Sequence, residues 1–213
     1  MNNYRYPKCW LNDSLILTKE ESFNLVEMTK SKQGIIMYRA TRDGFTCQSF
    51  HLKCDGKRNT ITIIKSNLNN VFGGYASSAW NSSGTWINDP NAFLFSLRRA
   101  RVSFKDKFTV KQAQYALYGL SSYGPIFGGN DICICNQSNT KIGSFSDFGV
   151  SYNLPNGYTY GGNARDYLAG NYREWTTTEI EVYQIIKFPS LLNKSITVNQ
   201  FFNFSNTVAG CLF

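Results

Sequence analysis

Period-two alternation of apolar and polar positions marks the clearest elements of this chain. In Thr60 to Lys65 (TITIIK) it places Thr60, Thr62 and Ile64 on one strand face and Ile61, Ile63 and Lys65 on the other. After a polar, Asn-rich turn, VFGGYASSAW (71–80) reads as its partner, which predicts a β-hairpin. Near the far end, TTTEIEVYQIIKF (176–188) sets Ile180 and Val182 against Glu181, Tyr183 and Ile185. Shorter apolar runs complete the β pattern. GIIMYRA (34–40) reads as a buried strand, AFLFSL (92–97) as an aromatic strand after Asp89-Pro90, and IFGGNDICICNQ (126–137) puts Ile132 and Ile134 opposite Cys133 and Cys135. One segment is helical: in TKEESFNLVEMTK (18–30) Thr18 and Glu21 have the spacing of a capping box, and Phe23, Leu25 and Val26 supply an apolar face. Asp43-Gly44 signals a turn, NSSGTWINDPN (81–91) reads as loop, and Val110 to Leu120 is ambiguous by pattern alone.

An aromatic residue followed by two glycines occurs three times, at Phe72-Gly73-Gly74, Phe127-Gly128-Gly129 and Tyr160-Gly161-Gly162, each beside a strand-like stretch. Glycine admits positive φ and close backbone approach, so the repeats predict bulges or corners of a curved β scaffold. None continues into Gly-Lys-Ser/Thr or opens a long amphipathic helix, which argues against a phosphate-binding loop. Positive φ or a close approach is expected at Gly73, Gly128 and Gly161.

At 213 residues the chain suits one sizeable domain, and its 16 Phe, 13 Tyr and 4 Trp exclude a disordered chain. The net charge of +8 suits an anionic partner. However, the basic residues are dispersed, and the densest cluster (Arg98, Arg99, Arg101, Lys105, Lys107) reads as a solvated turn. No helix-turn-helix, zinc-finger or RNP pattern accompanies the charge, so no specific nucleic-acid partner is expected. Residues 1–10 carry no apolar signal core, and no stretch resembles a transmembrane span. The six cysteines (9, 47, 54, 133, 135 and 211) are therefore expected reduced, in the cytoplasm, and the sequons at Asn81, Asn136 and Asn193 carry no weight.

Only one histidine, His51, is present, which rules out His-pair and three-His metal sites within the chain; no metal or cofactor is expected. There is no Gly-x-Ser-x-Gly elbow, and a lone His beside a strand end is more often a satisfied residue than a base. Cys47 and Cys54 flank His51 and Lys53, whose charge could lower a thiol pKa, so this pair is the candidate for oxidation. Cys133 and Cys135 read as small core residues, since neighbours on one strand face strain a direct bridge. Glu179 and Glu181 share one strand face, where they fit either paired acid–base work or a solvated polar face.

The ordered set MYRATRDGFTCQSFHLKCDGKRNTITIIKS, VFGGYASSAW, DPNAFLFSL, GPIFGGNDICI, YTYGGN, YLAGNYREW and TEIEVYQI resembles a TLDc domain over residues 15–188. That leaves an N-terminal extension (1–14) and an apolar tail (189–213). The resemblance implies a mostly β, α+β fold: a two-sheet antiparallel β-sandwich with flanking helices, within which Val110 to Leu120 is a strand or irregular. It also implies an intracellular interaction module tied to oxidative-stress resistance and to binding subunits of the vacuolar proton-pumping ATPase. The Gly pairs at 73–74 and 128–129 and the acids Glu179 and Glu181 are recurrent family elements without an assigned reaction. Two other functions remain open: a thiol-based peroxide scavenger using Cys47 or Cys54, and a sugar-binding sandwich using Trp80 and Trp86.

Overall fold

The computed structural model describes residues 11–186 apart from Asn12 and Lys32. Expectations for residues 1–10, for Cys9 and Cys211, and for the tail beyond Pro189 fall outside the described residues. Ten strands form two sheets in which every ladder between named strands is antiparallel. The larger sheet comprises β1 (Gln33–Arg39), β2 (Thr60–Ser66), β3 (Val71–Ala76), β5 (Phe93–Arg99), β6 (Val102–Thr109) and β10 (Thr177–Ile186), in the order β1-β10-β2-β3-β5-β6. The smaller follows the order β4 (Thr85–Ile87), β7 (Leu117–Gly119), β8 (Ile126–Phe127), β9 (Ile132–Cys133). Three helices flank them: α1 (Lys19–Thr29), α2 (Ala40–Asp43) and α3 (Cys47–Cys54). The expected two-sheet α+β sandwich is the observed architecture.

The alternation of β2 and β10 splits their apolar residues between two cores. Ile64, Ile180 and Val182 join Phe72, Leu94, Leu117, Phe127 and Trp80 in the core between the sheets. Ile61, Ile63, Tyr183 and Ile185 join Leu11, Ile16, Leu25 and Met28 in a second core, where α1 and the segment before it cover the outer face of the large sheet. Burial on both faces explains why β3 and β5 lack a polar face over most of their length and why Thr60 and Thr62 of β2 are buried as well. It also fixes where glycine is required: at Gly73 a Cβ would overlap the Thr62 carbonyl, and at Gly74 it would meet the Phe127 ring at 2.5 Å.

The capping box is present, with the Thr18 hydroxyl accepting from the Glu21 N–H and the Glu21 carboxylate accepting from the Thr18 N–H. The apolar face of α1 is nevertheless rotated from the expected one: Leu25 and Met28 are buried, whereas Phe23 is exposed. β1 is an edge strand with Ile35 exposed, not a buried one. The loop expected at 81–91 contains β4, which pairs with β7. The third aromatic-Gly-Gly repeat lies among turns, away from any strand.

The basic cluster is likewise no solvated turn. Only Ala100 and Arg101 form the turn of the β5–β6 hairpin, both with positive φ. Arg98 pairs with Glu21, Arg99 pairs with Asp106 and stacks on Phe104 and Tyr167, and Lys105 pairs with Glu27. Lys107 donates to the Met28 carbonyl and lies over the Phe93 ring. The charges thus fasten α1 and neighbouring loops to the sheet.

Candidate functional site

A surface cleft, about 380 Å³ in volume, is lined by Gln48, His51, Leu52, Asp55 and Ser121. Four of these residues come from α3 and the turn after it. Thr46 caps that helix by accepting the Ser49 N–H, and Cys47, Phe50 and Cys54 form its buried side. Phe50 packs edge-on against Tyr38 and Trp80, which anchors the helix to the core. The outer side carries His51 and Leu52, the latter 81% exposed beside the cleft. Sequence reasoning missed α3. The Thr46 cap and the 47/50/54 spacing of small and aromatic residues are its signal.

His51 is held on both sides. Nδ1 lies 2.8 Å from Asp55 Oδ1, while Nε2 lies 3.1 Å from the Leu120 carbonyl and 2.8 Å from that of Tyr123. Asp55 in turn accepts from the Ser82 hydroxyl at 2.6 Å. Since carbonyls only accept, Nε2 carries a hydrogen and has no lone pair to offer a substrate. One turn earlier the Cys47 thiol donates to the Ser122 carbonyl at 3.1 Å. The helix therefore grips the 120–123 loop through two side chains.

The remaining candidates are placed elsewhere. Burial pushes the Cys47 thiol up to about 11 and raises Cys54 further, the reverse of activation by Lys53. Glu179 and Glu181 are buried rather than solvated. Glu179 accepts from the Thr41 N–H at 3.1 Å, from the Thr41 hydroxyl and from the Ile180 N–H at 2.9 Å. Glu181 accepts from Ser14 Oγ (2.6 Å), the Leu15 N–H (2.9 Å) and Arg39 Nε (3.0 Å). Neither glutamate lines the cleft or shares a partner with His51, so the three do not converge. Trp80 is buried, with its indole N–H on Thr60 Oγ1 at 2.9 Å; Trp86 is 45% exposed and packs with Tyr115 and Tyr118.

The second glycine pair belongs to an internal anion nest. Gly128 has φ +64°, and a Cβ there would overlap Asp131 Oδ2. Asp131 Oδ1 accepts from the N–H groups of Gly149 (2.8 Å) and Val150 (3.0 Å), and Oδ2 from that of Ser151 (2.8 Å). The chain's own Asp131 carboxyl group occupies these backbone donors. Gly129 donates to Ser151 Oγ, which ties the corner to the same loop. Gly161 has φ +75° in open space, and a Cβ at Gly162 would meet only the Thr159 side chain closely.

A family model for the TLDc domain matches residues 10–186. The chain belongs to the TLDc domain family. No curated protein matches it significantly. The match begins one residue before Leu11, which is buried in the outer core of this TLDc domain. The family is associated with resistance to oxidative stress. Among the described residues of the TLDc domain, no group of three or more His, Cys, Asp or Glu is placed to hold a metal ion. No described helix is long and apolar enough to cross a membrane.

Proposed function

We propose that this TLDc domain is a cytoplasmic interaction module that acts in oxidative-stress resistance by docking on a protein assembly, with subunits of the vacuolar proton-pumping ATPase as its partner. Its docking role is non-catalytic. The observation that carries this reading is the family match over residues 10–186. The geometry is in keeping with it. The buried acids Glu21, Asp89, Asp131, Glu179 and Glu181 are all engaged by groups of the domain itself. The cleft beside α3 presents a histidine held by three acceptors and an exposed leucine, a surface suited to contact rather than turnover.

Peroxide scavenging by Cys47 or Cys54 is the weaker reading, because burial leaves little thiolate at either sulfur near neutral pH. Affinity capture of the tagged full chain from lysate at physiological salt, followed by identification of bound proteins, tests the proposal. Enrichment of proton-pump subunits over a tag-only control is the expected result. Their absence from the captured set overturns the partner assignment.

A further inference from the structure

The first turn of α3 is stitched to the segment that follows β9. Its Cys47 N–H donates to Asn136 Oδ1 at 3.0 Å, and the Gln137 N–H donates to the Phe45 carbonyl at 3.0 Å. The 122–124 loop closes the third side: the Cys47 thiol donates to the Ser122 carbonyl, and the Gly124 N–H to the Ile134 carbonyl at 2.8 Å. Two cysteines 88 positions apart, Cys47 and Cys135, are thereby drawn into one neighbourhood, and the nearby Cys135 adds to burial in making ionisation of Cys47 less favourable. Their environments differ. Cys47 is buried, whereas Cys135 is only partly buried and lies within 3.5 Å of the Ser144 hydroxyl, which can donate to its sulfur. Cys133 is buried in a backbone-paired stretch, and its thiol is pushed up to about 12.

We infer that Cys135 and Cys47 form an oxidation-sensitive thiol pair, Cys135 reacting first with a hydroperoxide and Cys47 then closing a disulfide between α3 and the segment after β9. In the first step the Cys135 thiolate attacks the peroxide oxygen. An S–O bond forms, the O–O bond breaks, and the departing hydroxide takes up the proton released by Cys135 to leave as water. In the second step Cys47 sulfur attacks Cys135 sulfur. The S–S bond forms, the S–O bond breaks, and the second hydroxide leaves as water with the Cys47 proton. Two thiols and one hydrogen peroxide give one disulfide and two waters. Exposure of Cys135 and the Ser144 donor suit the first role. The second needs no access for peroxide, only for the neighbouring sulfur.

The bridge takes the Cys47 thiol away from the Ser122 carbonyl and so loosens one of the two grips on the 120–123 loop, which supplies Ser121 to the cleft and two carbonyls to His51. Oxidation then reshapes the surface beside α3. The inference goes beyond the docking role and stands independently of which partner is bound.

The test uses the reduced full chain treated with hydrogen peroxide and mapped by mass spectrometry of non-reduced peptides, with and without a sulfenic-acid trap. The principal crosslink is expected between the Cys47 and Cys135 peptides. C47S should instead accumulate the trapped sulfenic acid at Cys135, and C135S should show neither the crosslink nor a trapped Cys47. A shift of the His51 ring resonances should accompany crosslinking. On the untreated wild-type chain, alkylation at Cys135 should be on the order of tenfold or more faster than at Cys47, Cys54 or Cys133. A Cys135 that stays reduced, that pairs mainly with another cysteine, or that alkylates no faster than the buried three overturns the proposal.

Discussion

Arg98 meets both carboxylate oxygens of Glu21, with Nε 2.8 Å from Oε1 and Nη2 2.5 Å from Oε2. The same Oε2 accepts the Thr18 N–H, so the residue that closes the capping box of α1 also pins that helix to β5. Glu21 is fully buried, and its charge is tolerable because this partner neutralises it in place. Removing Arg98 alone strands the carboxylate. R98M should therefore lower stability by about 3 kcal/mol, while R98M combined with E21Q should recover part of the loss. Urea denaturation of the three proteins decides it. Equal stability of R98M and wild type would show that the pair is dispensable.

The first and third glycine pairs should separate sharply on substitution. At Gly73 a Cβ overlaps a backbone carbonyl that cannot move without opening the β2–β3 ladder, and at Gly74 it strikes the Phe127 ring between the sheets. G73A should fail to yield folded protein, and G74A should lose about 2 kcal/mol or more through overpacking. At Gly161 there is open space, and only the left-handed backbone resists a side chain, so G161A should cost about 1 kcal/mol. Thermal denaturation ranks them. G161A as damaging as G73A would contradict this account of the repeats.

That ranking shows how far the fold is legible in the chain. Where a strand has one dominant periodicity, as in Thr60 to Ser66 or Thr177 to Ile186, the side assigned to each apolar residue is the side observed, because a one-residue slip would reverse every contact. The rotated face of α1 was less visible. Buried Ser22, Asn24 and Thr29 interrupt the apolar stripe, and the helix is fixed by the Arg98–Glu21 pair as well as by hydrophobic contact. The roles of the basic residues 98–107 are hidden for a related reason: Arg98 and Lys105 find their partners Glu21 and Glu27 in α1, far away in sequence, and Arg99 finds Asp106 only once the β5–β6 hairpin has formed. At the candidate site, His51 stood out as the single histidine, but the carbonyls that hold it come from residues 120 and 123. By pattern Cys133 and Cys135 share one strand face and both read as small core residues. The distinction arises only where the chain leaves β9 and Cys135 emerges toward Ser144.

Glu181 fastens the segment ahead of α1 to the sheet, since it accepts from Ser14 Oγ and the Leu15 N–H while pairing with Arg39. Its substitution should free that segment before it unfolds the sandwich. In E181Q the amide nitrogen can no longer accept, so one of these donors loses its partner at about 1–3 kcal/mol. Exchange of the Leu15 amide hydrogen should accelerate at least about tenfold, corresponding to about 1.4 kcal/mol, while amides of β2 and β3 slow or hold within a few-fold. Uniform acceleration across the domain would instead mark Glu181 as part of the global core.

Asp131 gives the fold a pH dependence of defined sign. Burial raises its carboxyl from the ordinary 3.8 to about 7, although backbone N–H groups of residues 149–152 pull the other way. The folded state therefore holds this proton more tightly than the unfolded chain does. The resulting stabilisation is complete below about pH 4, declines between about 4 and 7 and is lost above, a few kcal/mol in all for a shift of this size. An Asn at this position does not titrate, although its NH2 group must face a backbone donor and weakens the 149–151 loop. D131N should accordingly be less stable than wild type at pH 5, with the gap narrowing as the pH rises to 8. Chemical denaturation of both proteins at pH 5, 6, 7 and 8 measures it. A gap that stays constant or widens with pH would mean that the nest holds Asp131 ionised throughout, its backbone donors outweighing burial.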